Sequence, residues 1–167
     1  MDEKNDKKEV YTGETGPDGL PHGRGTIDFG DGRRYSGIID GASQTGRGVY
    51  YYPDGSRLFG GFTINAGHPA WRFVYPDGRE VAGFVSRFPA DDEEVRRGEF
   101  NETDAICAEI TKVARELGLS VEYNARTILA DALLRRGEQD VEAAVKAAAR
   151  GCTGMLTVPY VIRFVYG

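Results

Sequence analysis

The stretch YYYPDGSRLFGGF, residues 50–62, sets three tyrosines before a Pro-Asp-Gly-Ser turn and two phenylalanines after it. Taken alone it reads as an exposed aromatic cluster that grips a ligand. Its register points elsewhere. Asp54-Gly55 has counterparts at Asp31-Gly32 and Asp77-Gly78, 23 residues away on either side. A second series keeps the step: Tyr11, Tyr35, Leu58 and Val81 are each followed two residues later by Gly13, Gly37, Gly60 and Gly83, with spacings of 24, 23 and 23. Between the two series lies Gly23-Arg24-Gly25, matched by Gly46-Arg47-Gly48 and imperfectly by Pro69-Ala70-Trp71. A fixed period of this length marks a repeat architecture in which each unit is one supersecondary element.

The units are YTGETGPDGLPHGRGTIDFGDGRR, YSGIIDGASQTGRGVYYYPDGSR and LFGGFTINAGHPAWRFVYPDGRE, closed by a half unit, VAGFVSRF. Each contains a short strand, a glycine-rich turn, a second strand and an Asp-Gly turn, which is the grammar of a β-hairpin and its connection. Residues 11–88 are therefore expected to form an antiparallel meander. Alternation along the second strands puts Ile27 and Phe29, Tyr50 and Tyr52, and Phe73 and Tyr75 on one face. Stacked units align Ile27, Tyr50 and Phe73 in one row and Phe29, Tyr52 and Tyr75 in the next. Loss of the Gly-Arg-Gly pattern at Trp71 predicts that the third unit differs locally.

The pattern Tyr-x-Gly, Gly-x-Gly, Asp-Gly at a 23-residue period resembles MORN repeats. It departs from the family's Tyr-x-Gly-x-Trp at Thr15, Ile39 and Phe62, which stand in the tryptophan's place, and keeps the basic loop only as Pro21-His22-Gly23-Arg24-Gly25. The resemblance implies a twisted single-layer sheet, found in scaffolding proteins of cytoskeleton, cilia and membrane junctions and beside some enzyme domains.

With 21 basic and 26 acidic side chains among 167 residues, the net charge is −5, which gives no general attraction to nucleic acid or an anionic membrane. Residues 11–88 hold eight arginines, no lysine and eight acids, whereas residues 89–167 hold ten basic and fourteen acidic residues. The shift at Phe88-Pro89 marks a domain boundary. Residues 1–10, MDEKNDKKEV, read as a solvated tail without the character of a secretory or organelle signal. No run reaches the ~20 apolar residues that span a bilayer. Cys107 and Cys152, far apart in different predicted elements, read as buried thiols of an intracellular protein.

Beyond the boundary the periodicity turns helical. A short helix is expected over 90–97, ended by Gly98. A second runs from an Asn101 cap through Ile106, Ile110, Val113 and Leu117 to Gly118; a third from a Ser120 cap to Arg136; a fourth from Asp140 to Gly151. ALLRRGEQDVEAAVKAAA, residues 132–149, is similar to the end of ubiquitin-associated three-helix domains, but Leu117-Gly118-Leu119 stands where that family has its binding loop. Residues 155–167, with Leu156, Val158, Tyr160, Ile162, Phe164 and Tyr166 alternating, read as a final strand. It is expected to return to the repeat sheet, whose open edge wants a cover, or to pair with another chain; the helices offer the sheet's aromatic face a second cover. The fold class is α+β: a tail over 1–10, a meander over 11–88, a helical segment over 89–154 and a strand over 155–167.

No catalytic, cofactor or metal site emerges. His22 and His68 share a repeat position two units apart, about 19 Å at about 4.8 Å per strand, too far for one ion. Gly23-Arg24-Gly25 and Gly46-Arg47-Gly48 lead into strands rather than helices, unlike phosphate-binding loops. The expectation is a cytoplasmic, non-catalytic adaptor without cofactor, in the cytoskeletal or ciliary setting that the resemblance implies. Its aromatic face, with Tyr35, Tyr50, Tyr52, Trp71, Phe73 and Tyr75, would meet a helix or extended segment of a protein partner. A homo-oligomer through the sheet edge or the C-terminal strand fits as well; nucleic acid does not. Two alternatives stand beside this reading. In one, Arg24, Arg33, Arg34, Arg47 and Arg57, with Arg79, contact lipid phosphates, against which cross-strand pairing with acids competes. In the other, the chain is an accessory subunit of an enzyme complex.

Overall fold

Seven strands follow the hairpin register in a computed structural model that describes residues 8–40, 43–60, 70–84, 92–98 and 101–167. They are β1 (Val10–Thr15), β2 (Pro21–Asp28), β3 (Arg34–Asp40), β4 (Ser43–Tyr51), β5 (Arg57–Gly60), β6 (Ala70–Val74) and β7 (Glu80–Phe84), an antiparallel meander in chain order. The Asp-Gly turns set the register. At the turn of the opening stretch, the Gly55 amide donates to Tyr52 O at 3.0 Å, the Tyr52 amide to Ser56 O at 3.0 Å, and Asp54 Oδ1 accepts from the Ser56 amide at 2.8 Å. Gly55 has φ +90°, a left-handed conformation that side chains disfavour. Asp31 and Asp77 repeat this turn, each accepting from the amide two residues on, of Arg33 and Arg79, at 3.0 Å.

Two rows of side chains cross all seven strands on one face. The first runs Tyr11, Ile27, Tyr35, Tyr50, Leu58, Phe73, Val81, so the expected Ile27, Tyr50, Phe73 row is present with the first-strand residues interleaved. The second runs Gly13, Gly25, Gly37, Gly48, Gly60, Trp71, Gly83. Rings of the first row lie over glycines of the second. Tyr35 donates its hydroxyl to Ile38 O at 2.9 Å, and a Cβ at Gly48 would stand 2.7 Å from Tyr35 Cζ. Tyr11 does the same one unit earlier, donating to Glu14 O, with a Cβ at Gly25 only 2.5 Å from its ring. The third unit differs as expected: Leu58 replaces the tyrosine and Trp71 the glycine, and a Cβ at Gly83 would stand 2.7 Å from the indole. Each such ring removes about 150–250 Å² from water, of order 4 kcal/mol before conformational entropy is charged.

The chain divides into two compact units, Met1–Phe84 and Val85–Gly167, a few residues before the Phe88-Pro89 step. The second contains α1 (Asp92–Arg96), α2 (Glu102–Glu116), β8 (Ser120–Val121), α3 (Tyr123–Arg136), α4 (Val141–Ala148), β9 (Met155–Leu156) and α5 (Val158–Tyr166). Asn101 caps α2 in a reciprocal box: its side chain accepts from the Asp104 amide at 3.2 Å while Asp104 Oδ2 accepts from the Asn101 amide at 2.6 Å. Asp140 caps α4 through the Ala143 amide at 2.9 Å, and Gly137 ends α3 at φ +64°. The start of the short first helix, at Ala90, lies outside the described residues. Among the described residues, no helix is long and apolar enough to cross a membrane.

Two expectations are corrected here. Ser120 does not cap the third helix; Ser120–Val121 is β8, and α3 begins after Glu122. The C-terminal strand shrinks to Met155–Leu156, which pairs in parallel with β8 rather than with the repeat sheet. Val158–Tyr166 is a helix, with Pro159 in its first turn, where the missing N–H costs nothing. Almost every residue in this run is apolar, so periods of 2 and 3.6 fit it equally well. Burial of Val158, Val161 and Ile162 beside exposed Arg163 follows the helical one. The buried Glu122 carboxylate accepts from the Val158 amide at 2.9 Å, tying the first turn of α5 to the start of α3.

Candidate functional site

Alternation gives the sheet two unlike faces. Of the residues expected to meet a partner, Tyr35, Tyr50, Tyr52, Trp71 and Phe73 are buried and Tyr75 is half-buried. Tyr35 and Tyr50 pack with centroids 4.8 Å apart, and Phe73 meets Tyr75 edge-on at 5.2 Å. The five buried rings are interior to the folded chain, Tyr35 and Trp71 through their packing over Gly48 and Gly83.

The opposite face carries a different set. Its rows run Asp28, Arg34, Tyr51, Arg57, Val74, Glu80 and Thr26, Ser36, Val49, Phe59, Arg72, Ala82 across β2 to β7. Arg34 lies over the Tyr51 ring at 4.5 Å, while Arg57 and Arg72 both approach the Phe59 ring, at 5.6 and 4.5 Å. Such stacking holds a guanidinium by its plane and leaves its N–H edge for an anion. Beside Arg24 on this face, a depression of about 470 Å³ is lined by Thr26, Ser36 and Ile38 over the backbone of Gly25 and Gly37.

The arginines divide by partner. Arg33 and Arg79 are held within their own turns, with Nε 2.9 Å from Asp31 Oδ2 and 2.7 Å from Asp77 Oδ2, and each stacks on an aromatic ring, Phe29 at 4.6 Å and Tyr75 at 4.8 Å. Burial pushes the Asp31 carboxyl up, but hydrogen bonds from the Arg33 guanidinium and amide outweigh it, so the group titrates below its ordinary range. The Arg79 amide, then its side chain, hold Asp77 low as well. Arg72 pairs across strands with Glu80 at 3.8 Å. Among the described residues, Arg24, Arg34 and Arg57 meet no carboxylate through their side chains. Among the described residues, Arg72 with Glu80 is the pair that joins an arginine and an acid across strands. The Arg47 side chain and all of His68 lie outside the described residues. Tyr51, Phe59 and Arg72 went unremarked in the sequence, although the alternation that buries Tyr50, Leu58 and Phe73 turns their neighbours to the other face.

Of the two thiols expected to be buried, Cys107 is buried and Cys152 is half-buried. Burial pushes the Cys107 thiol up to about 11, so at neutral pH it is a protonated, unreactive group, and burial raises Cys152 as well. Cys152 Sγ donates to Met155 O at 2.9 Å. Among the described residues, no group of three or more His, Cys, Asp or Glu is placed to hold a metal ion. No protein-family model and no curated protein matches the chain.

Proposed function

We propose that this protein is a non-catalytic structural adaptor of MORN type, working in the cytoplasm through protein–protein contact in a cytoskeletal or ciliary assembly. The observation that carries this reading is the arginine and aromatic face across β3 to β6. Arg and Tyr are enriched where protein interfaces concentrate their binding energy, and Tyr51, Phe59 and the stacked guanidiniums supply large, rigid contact area. The contact surface is therefore assigned to this face rather than to Tyr35, Tyr50, Tyr52, Trp71 and Phe73. A second reading, attachment to phospholipid headgroups, draws support from Arg24, Arg34 and Arg57, whose side chains meet no acid among the described residues.

The test is recovery of a stoichiometric partner from native extract by the tagged full chain, compared with a Tyr51→Ser, Phe59→Ser variant whose circular dichroism is unchanged. Loss of the partner band in the variant is expected. Recovery that ignores both substitutions, or no stoichiometric partner at all, sinks the adaptor reading of this face. Co-sedimentation of the chain with the cytoskeletal fraction of the same extract tests the setting.

A further inference from the structure

The adaptor's arginine face is chemically more specific than a generic interface, and the inference drawn from it rests on that functional reading. Arg34, Tyr51 and Arg57 are successive members of one row on β3, β4 and β5. Two strand spacings separate the arginines by about 10 Å. Between them stands a half-buried ring, and beside Arg57 a second ring, Phe59, shared with Arg72. Acids close the row at both ends, Asp28 on β2 and Glu80 on β7. Along this row, in a chain whose net charge is −5, positive charge is confined to β3–β5, while Arg24 and Arg72 stand on other rows of the same face.

A broad anionic surface would meet those flanking acids together with the strip. A narrow ligand would not. A polyproline II segment repeats every three residues with a rise of about 3.1 Å, so acids at every third position share one face about 9 Å apart. That matches the spacing of the two arginine backbones. Between the two acids, proline rings would pack on Tyr51, as proline-rich segments dock on aromatic grooves. Each guanidinium, 4.5 Å and 5.6 Å over its ring, would donate N–H groups to one carboxylate in a charge-assisted pair.

We propose that the face centred on Arg34, Tyr51 and Arg57 binds an acidic, proline-containing segment of a partner protein in polyproline II conformation, with carboxylates three residues apart. The probe is a fluorescein-labelled peptide of repeated Glu-Pro-Pro triplets, with Gln-Pro-Pro triplets as its uncharged counterpart, read by fluorescence anisotropy against the full chain. Binding of the acidic peptide is expected, weakening as salt rises from about 50 to about 300 mM. An Arg34→Gln, Arg57→Gln variant with unchanged circular dichroism should bind about tenfold more weakly or worse, whereas Arg79→Gln, whose arginine is held by Asp77, should leave affinity within about twofold. The proposal is overturned by no binding of the acidic peptide, by equal binding of the glutamine peptide, or by equal binding of the double variant. Capture on phosphatidylserine or phosphoinositide vesicles without peptide binding also overturns it and assigns the strip to a membrane. If the extract partner persists while the peptide fails, the adaptor reading stands and only this ligand chemistry falls.

Discussion

The second and third repeats solve one packing problem in opposite ways. In the second, a large ring on the first strand, Tyr35, lies over a glycine on the next, Gly48. In the third, the first strand carries Leu58 and the glycine position carries Trp71, whose indole lies instead over Gly83 one strand further on. Both arrangements bury their large side chain almost completely, Tyr35 at 0% exposure and Trp71 at 2%. What the repeat conserves is the pairing of one bulky side chain with one bare backbone position. Interiors tolerate redistribution of volume when the total is kept.

Removing the bulk should cost most. Trp71→Gly leaves an indole-sized gap and is expected to destabilise by about 3–5 kcal/mol in urea denaturation, with the loss confined to the sheet unit if the two units unfold separately. Filling the bare position comes next. A Cβ at Gly48 would stand 2.5 Å from Ser36 O as well as 2.7 Å from the Tyr35 ring, so Gly48→Ala should cost about 1–3 kcal/mol, with a Tyr35→Leu background relieving the ring clash but not the backbone one. Restoring the second repeat's solution in the third is the sharper test. Leu58→Tyr alone should destabilise, but combined with Trp71→Gly it should recover part of both losses, a coupling of about 1–3 kcal/mol in a double-mutant cycle. Additive effects would show that the two positions do not share one space.

The turns give the smallest effect. Asp31 titrates below its unfolded value, so its hydrogen bonds with Arg33 contribute stability above about pH 4, lost as pH falls through the lower folded value. Asp31→Asn should therefore be slightly less stable than the parent at pH 7, and the difference should close as pH falls through the lowered value of the folded carboxyl. A gap that persists at low pH would assign the effect to backbone geometry rather than charge.

The sheet unit was the more legible half because its signal is repeated. One Asp-Gly turn predicts little, but three in a single register fix the strands, their alternation and the place of Ile27, Tyr50 and Phe73 in one row across the sheet. The residues after α4 had no such redundancy. In MLTVPYVIRFVY, Pro159 forbids a central strand but suits a helix start equally well, and the capping carboxylate that settles the choice, Glu122, lies far away in sequence. The candidate face was half legible. Its arginines stood out, but their division into paired and stacked groups depends on which side chain each meets across the strands.

The sequence by itself determined the hairpin repeat, the turn geometry and which residues alternate together, because these rest on local backbone preferences and a fixed period. Tertiary structure decided which face is buried, that Trp71 carries the ring of the third unit, and that residues 158–166 are a helix. It also decided that the side chains of Arg24, Arg34 and Arg57 meet no acid among the described residues while Arg33 and Arg79 fold back on their own turns. Those outcomes depend on neighbours brought together from distant positions, and no local pattern encodes the neighbour. The aromatic stretch 50–62 shows both: its turn was written in Pro53-Asp54-Gly55, but only packing placed Tyr50 and Tyr52 inside and left Tyr51 at the surface between two arginines.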